Sequence, residues 1–144
     1  MTGPLLDERS LLVISHPGHE LRLYGWIDRV QPLICILTDG SGGNGAPRLD
    51  KTLHVLHALR AEIGPICGEL SDRRIYEEIR HHRFELFDTL CERLARLIIA
   101  RDIDIVVSDA MEGYNPTHDL CEVLAQAAVA IANGKKNRPT RHYT

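Results

Sequence analysis

Histidines and carboxylates are the residues of this chain whose types and spacing point to chemistry. The stretch Ser15-His16-Pro17-Gly18-His19-Glu20 places two imidazoles three residues apart. If His16 ends a strand and His19 opens the following helix, both rings can face one point. A neutral imidazole is a good zinc ligand, and three of them leave a fourth position for water. The alternative is that both rings only line a polar strand end. A second stretch, Glu112-Gly113-Tyr114-Asn115-Pro116-Thr117-His118-Asp119, brings His118 to a predicted helix start. The positive end of the helix dipole disfavours imidazolium there and keeps the ring in its ligating form. His16, His19 and His118 are therefore the expected ligands of a divalent metal, zinc being the first choice.

Such residues can meet only if strands and helices carry them to one place. Ser10 to Ser15 (SLLVIS) and Leu33 to Thr38 (LICILT) read as buried strands, and Asp104 to Ser108 (DIVVS) as another. Ile63 to Cys67 is a candidate third short strand. Helices are expected from His19 to about Val30, from Leu49 to Leu59, and from Leu120 to Ala132 with Thr117 as N-cap. Arg73 to Arg101 reads as one long helix or two, with Leu86, Leu90, Leu94 and Leu97 as its apolar stripe. Continuous apolar strands separated by helices imply a mostly parallel sheet covered on both faces, a Rossmann-like α/β three-layer sandwich. The working site of such a sheet lies outside the C-terminal ends of its strands. That rule selects the loops after Ile14, after Leu37, near Gly68 to Asp72 and after Val107.

The bulk properties agree with one globular α/β domain over residues 1–144. Apolar residues are 44% and charged residues 26% of the chain, with a formal net charge of −3. That balance gives no reason to expect a nucleic-acid partner. Lys135 to Arg141 reads as a solvated basic tail. No apolar run approaches the ~20 residues needed to cross a bilayer, so no membrane role is expected. The start, MTGPLLDERS, lacks the basic and apolar segments of a signal peptide, which makes a cytoplasmic location the expectation. Four widely spaced cysteines in apolar surroundings read as buried free thiols.

The combination LLVISHPGHE, ILTDGSGG, RLDKTLHVLHAL and DIDIVVSDAMEGYNPTHDLCEVLAQAA resembles the PIG-L (LmbE-like) deacetylases over roughly Leu11 to Ala130. The resemblance implies a zinc enzyme in which a metal-activated water attacks the amide carbonyl of an N-acylated sugar conjugate, a small-molecule substrate. The family motifs read His-Pro-Asp-Asp-Glu and His-Pro-Asp-His. Matched position by position, the ligands fall on His16, His19 and His118. The family's general base falls on Gly18, and its second-motif histidine, which helps handle the developing oxyanion, falls on Asn115. Arg48 matches an arginine used near the substrate.

Two departures stand out. His19 replaces a ligating aspartate, which keeps a ligand and changes its charge. Glycine at 18 cannot accept a proton, and loss of a general base costs roughly 10²–10⁴-fold. Either another carboxylate substitutes, or the chain is a metal-binding member that is not hydrolytic or is regulatory. Asp109, which directly follows a strand, is the first substitute, ahead of Glu112 and Asp39. Its other reading is a hydrogen bond to a ligating imidazole. Family members are generally longer, so this chain is expected to be either a C-terminally truncated form or a compact one whose open site a second subunit completes in a homo-oligomer.

The remaining features have plainer readings. The glycine-rich DGSGGNGAP loop lacks the ending of a P-loop, and a substrate-side loop fits it better. His81-His82 reads as a solvated pair. His54 and His57 read as partly buried, and Trp26 and Tyr24 as packing the first helix onto the sheet.

Overall fold

The computed structural model describes residues 8–144. Its centre is a five-stranded, all-parallel sheet in the order β3-β2-β1-β4-β5. The strands are β1 (Ser10–Ile14), β2 (Leu33–Thr38), β3 (Glu62–Leu70), β4 (Ile105–Ser108) and β5 (Arg141–Tyr143). The helices are α1 (Tyr24–Val30), α2 (Leu49–Ala58), α3 (Asp72–Arg80), α4 (Glu85–Ala100) and α5 (Pro116–Asn133).

Both central strands are buried on both faces, which is why they read as unbroken apolar runs. Alternate residues of each strand serve opposite layers. Leu11, Val13, Leu33, Cys35 and Leu37 join the cluster that holds buried residues of α3, α4 and α5. Leu12, Ile14, Ile34 and Ile36 join the cluster that holds Ile27 of α1 and Leu56 of α2. Each fully buried leucine or isoleucine contributes about 1.5–3 kcal/mol relative to exposure. The three-layer α/β architecture is therefore as expected.

Several local expectations are revised. The stretch after His19 is a 3-10 turn over His19–Leu23 before α1 begins, because Gly18 at φ +104° bends the chain sharply. β3 extends well beyond Ile63 to Cys67 and slips register twice against β2. Arg73 to Arg101 forms two helices, broken where His82 takes φ +52°. His81 and His82 are exposed, but so are His54 and His57, which sit on the outer side of α2. Trp26 packs on its cluster while Tyr24 is 49% exposed. All four cysteines are free, three of them buried and Cys67 half-buried.

The expected basic tail is instead part of the fold. β5 adds to β4 in parallel, with Val106 opposite His142. Asn133 at the end of α5 holds the approach to it: its side chain accepts from Thr140 N–H at 2.7 Å and donates to Thr140 C=O at 3.0 Å. Lys136 is nearly buried and donates to Ile103 C=O and to Thr140 Oγ1. Arg138 pairs with the buried Asp104 at 2.7 Å. Among the described residues, no helix is long and apolar enough to cross a membrane.

Candidate metal centre

The chain leaves β1 for β2 on one side and returns through β4 on the other. The C-terminal ends of β1 and β4 therefore form the switch point of the sheet, where a crevice opens. The loop after β1 is rigid there. Ser15 C=O accepts from Thr38 N–H at 3.0 Å and from its hydroxyl at 3.1 Å, which ties the turn to the end of β2. Glu20, only 2% exposed, accepts from Gly18 N–H at 2.6 Å and from the Thr52 hydroxyl at 2.8 Å. Its carboxylate is committed to shaping the turn.

The loop after β4 is held just as firmly. Asp119 Oδ1 accepts from Glu112 N–H at 2.8 Å and Gly113 N–H at 3.1 Å. Asn115, and not Thr117, caps α5, accepting from Thr117 N–H at 3.0 Å with Pro116 in the first turn. Asparagine followed by proline is a strong helix-start signal, so the sequence contained this cap. His118 is thereby set in the first turn, 7% exposed.

These two loops bring the three imidazoles together. Ring centroids lie 5.5 Å apart for His16 and His19, 5.0 Å for His16 and His118, and 4.7 Å for His19 and His118. Each Nδ1 has a carboxylate oxygen 2.8 Å away, from Asp72 at His16, Asp109 at His19 and Glu112 at His118. His16 Nδ1 also lies 2.9 Å from Thr38 Oγ1, whose own proton goes to Ser15 C=O, and Asp72 Oδ1 makes no hydrogen bond and acts there by charge. Burial pushes the His16 pKa down, and the neighbouring rings add to this against the pull of Asp72.

Asp109 accepts from Ser15 N–H at 2.7 Å, the Ser15 hydroxyl at 2.6 Å and His19 Nδ1 at 2.8 Å. Burial opposes its ionisation, but the hydrogen bonds from His19 and Ser15 prevail and hold its pKa down at about 2. Glu112 is held below the usual carboxylate range, chiefly by the hydrogen bond from His118.

An open cleft of about 500 Å³ lies over the rings, with Arg48 and Asn115 on its walls. Asn115 Nδ2 stands 3.2 Å from His118 Nε2. Arg48 donates through Nε to Gly40 C=O at 2.7 Å, anchoring its guanidinium at the rim. Asp39 turns into its own loop, accepting from Ser41 N–H at 2.9 Å. Gly18 is exposed, and a Cβ there meets nothing within 4 Å. Asp72, which the sequence pattern did not single out, lines the cleft and accepts from Gly42 N–H at 2.6 Å. Its signal was its place at the first position of a helix directly after a strand end, within one of the four selected loops.

Three imidazoles with carboxylates beside them are the donor types of a divalent-metal site. Three imidazoles on one tetrahedral zinc, at about 2 Å from it, have ring centroids about 5 Å apart. The Thr38 hydroxyl at His16 and the carboxylates of Asp109 at His19 and Glu112 at His118 hold Nδ1 and leave Nε2 free to ligate. Among the described residues, no group of three or more His, Cys, Asp or Glu side chains stands in an arrangement that could hold a metal ion without side-chain movement. The Asn115 amide against His118 Nε2 is one contact that has to give way.

No protein-family model matches the chain, and no curated protein matches it in sequence. Its fold is matched by solved structures. The conserved protein TT1542 from Thermus thermophilus superposes at TM-score 0.66 with 21% identity, over 94% of this chain and 64% of that one. The N,N'-diacetylchitobiose deacetylase from Pyrococcus horikoshii superposes at TM-score 0.66 with 19% identity, over 92% of this chain and 53% of that one. The C-terminal domain of PF1911 hydrogenase from Pyrococcus furiosus follows at TM-score 0.51 with 13% identity, over 99% of this chain and 95% of that domain. The chain thus spans between about half and two thirds of the length of the first two. At these identities the likeness establishes the fold.

Proposed function

We propose that this chain is a divergent PIG-L (LmbE-like) protein that acts as a metal-dependent hydrolase of N-acyl groups on small sugar-like substrates. The observation that carries the reading is the trio His16, His19 and His118, each backed by a carboxylate at 2.8 Å, on the floor of a cleft at the sheet's switch point. Likeness in fold to a chitobiose deacetylase supports it.

The three Nε2 atoms would hold the metal, zinc being the best match to three neutral imidazoles. When bound, the ion would activate water and polarise the acyl carbonyl. The remaining work belongs to the chain. Asp109 accepts the His19 Nδ1 proton and so keeps Nε2 aimed at the cleft, and its three donors leave it committed to that task. Glu112 does the same for His118. Asn115 Nδ2, released from His118, becomes a donor to the acyl oxygen, while its Oδ1 keeps capping α5. Arg48 holds a substrate oxygen at the rim. Residue 18 supplies no proton acceptor, so unassisted turnover is slow.

The test is metal content of purified protein together with acetate release from N-acetylglucosamine glycosides. The expected result is near-stoichiometric zinc and slow acetate release, both lost in His118→Ala. A protein that binds no divalent metal, and whose stability and acetate release do not change on that substitution, would sink the proposal.

A further inference from the structure

The cleft over the histidines does not end at its rim. Past Gly42, Gly43 and Tyr76, which border both depressions, it continues into a groove of about 350 Å³ along α3, walled by Arg73, Arg80 and Glu77. Glycine makes the divide between the two low: a Cβ at Gly42 or Gly43 would meet nothing within 4 Å. Tyr76 is 39% exposed and offers a ring between them.

Charge around this passage runs against that of the chain. The protein as a whole carries −3, yet Arg48, Arg73 and Arg80 line the two depressions against one half-buried acid, Glu77, and one fully buried acid. Glu77 is paired with Arg73 at 2.9 Å. The other acid, Asp72, is buried and accepts from Gly42. Arg80 has no carboxylate partner among the described residues, and Arg48 spends only Nε, on Gly40. Two guanidinium groups thus remain unneutralised along one continuous path. Guanidinium forks suit the oxygens of phosphates and carboxylates.

We propose that the groove over α3 is a second subsite, which receives an anionic group, phosphate or carboxylate, borne by the substrate whose acyl end lies at His16, His19 and His118. The inference rests on the hydrolase reading for what occupies the first depression. The sugar ring lies across Tyr76 and the low glycine divide, and Arg80, the unpaired guanidinium of this groove, takes the anion.

Binding is measured by calorimetry on the intact protein at low and at high salt. The probes are glucose 1-phosphate, the carboxymethyl β-glucoside and the neutral methyl β-glucoside, none of which has an acyl group to lose. At least one charged probe is expected to bind roughly tenfold tighter than the neutral one, with an advantage that shrinks with salt. Whichever charged probe binds tighter identifies the anion as phosphate or carboxylate. Arg80→Ala, at an exposed position of α3, removes the advantage, and Arg80→Glu reverses it. Equal binding of charged and neutral probes, no binding of either charged probe, or a preference unchanged in these variants overturns the subsite. Acetate release from the N-acetyl counterparts is read in parallel. Charge preference without acetate release keeps the subsite and removes the hydrolase reading, and acetate release without charge preference does the reverse.

Discussion

Replacing Asp109 by asparagine puts the carboxylate-backed histidines to a direct test. Asp109 accepts three hydrogen bonds and donates none, and its side chain is 12% exposed. Asparagine keeps one acceptor oxygen but turns an NH₂ toward either Ser15 or His19, leaving a donor facing a donor. The depression of the Asp109 pKa from 3.8 to about 2 corresponds to roughly 2 kcal/mol in favour of its ionised form. The Asp109→Asn substitution is therefore expected to destabilise the metal-free protein by about 2–4 kcal/mol, the upper end including an unsatisfied buried donor. Because the folded pKa lies below the unfolded one, this contribution is complete above about pH 4 and fades as pH falls toward 2. Urea melts at neutral pH and near pH 2 should show a large difference between wild type and variant at the first and a small one at the second. Zinc affinity, read by competition with a chromophoric chelator, should fall 10–100-fold. Glu112→Gln should cost less, since Glu112 is more exposed at 25%. Asp109→Asn with zinc affinity within twofold of wild type would refute the claim that this carboxylate orients a ligand.

Three further outcomes follow from the geometry. Zinc at 100 times its Kd should stabilise the protein by about 2.7 kcal/mol, raising Tm by roughly 5–10 °C, and His16→Ala should abolish the shift in a thermal melt. Gly18→Asp should raise acetate release by 10²-fold or more by restoring a proton acceptor, at about 1–2 kcal/mol in stability because residue 18 sits at φ +104°. Steady-state kinetics and melts on that one variant check both statements. Asn133→Ala breaks both hydrogen bonds to Thr140 and should cost about 1–3 kcal/mol, with hydrogen exchange accelerating first in β5.

Much of the layer arrangement could be read in advance because β1 and β2 are buried on both faces. Such strands must be apolar throughout, and LLVI and LICIL cannot be mistaken for half-exposed ones. The pattern failed where tertiary contacts decide. Arg-His-Tyr of β5 has no apolar signature; it pairs because Asn133, Lys136 and Thr140 bring it to the edge of β4. His19 reads as helical, yet the left-handed Gly18 forces a tighter 3-10 turn, and that turn is what brings the His19 ring beside Asp109. At the site, imidazoles separated in sequence could be grouped because parallel strands deliver their C-terminal loops to one edge. Asp72 escaped notice because it belongs to a third strand-end loop and bears no histidine. Its role is visible only in three dimensions, between His16 and the Gly42 turn.

Asn115 carries two duties that one substitution would confuse. Its Oδ1 caps α5 and its Nδ2 faces His118 Nε2. Asn115→Ala removes both, so a fall in activity could come from a frayed helix start that lets His118 drift. Asn115→Asp separates them. Aspartate caps a helix about as well as asparagine, and a negative charge at the helix N-terminus is favourable. It offers no donor to an acyl oxygen. If the amide serves the developing negative charge, Asn115→Asp should melt within about 0.5 kcal/mol of wild type while kcat falls 10²–10³-fold with no loss of zinc affinity, since the new carboxylate faces the ligating His118 Nε2. Asn115→Ala should lose about 1 kcal/mol of stability as well. Equal kcat in Asn115→Asp and wild type would leave Asn115 as a cap alone and return the stabilisation of that charge to the cation.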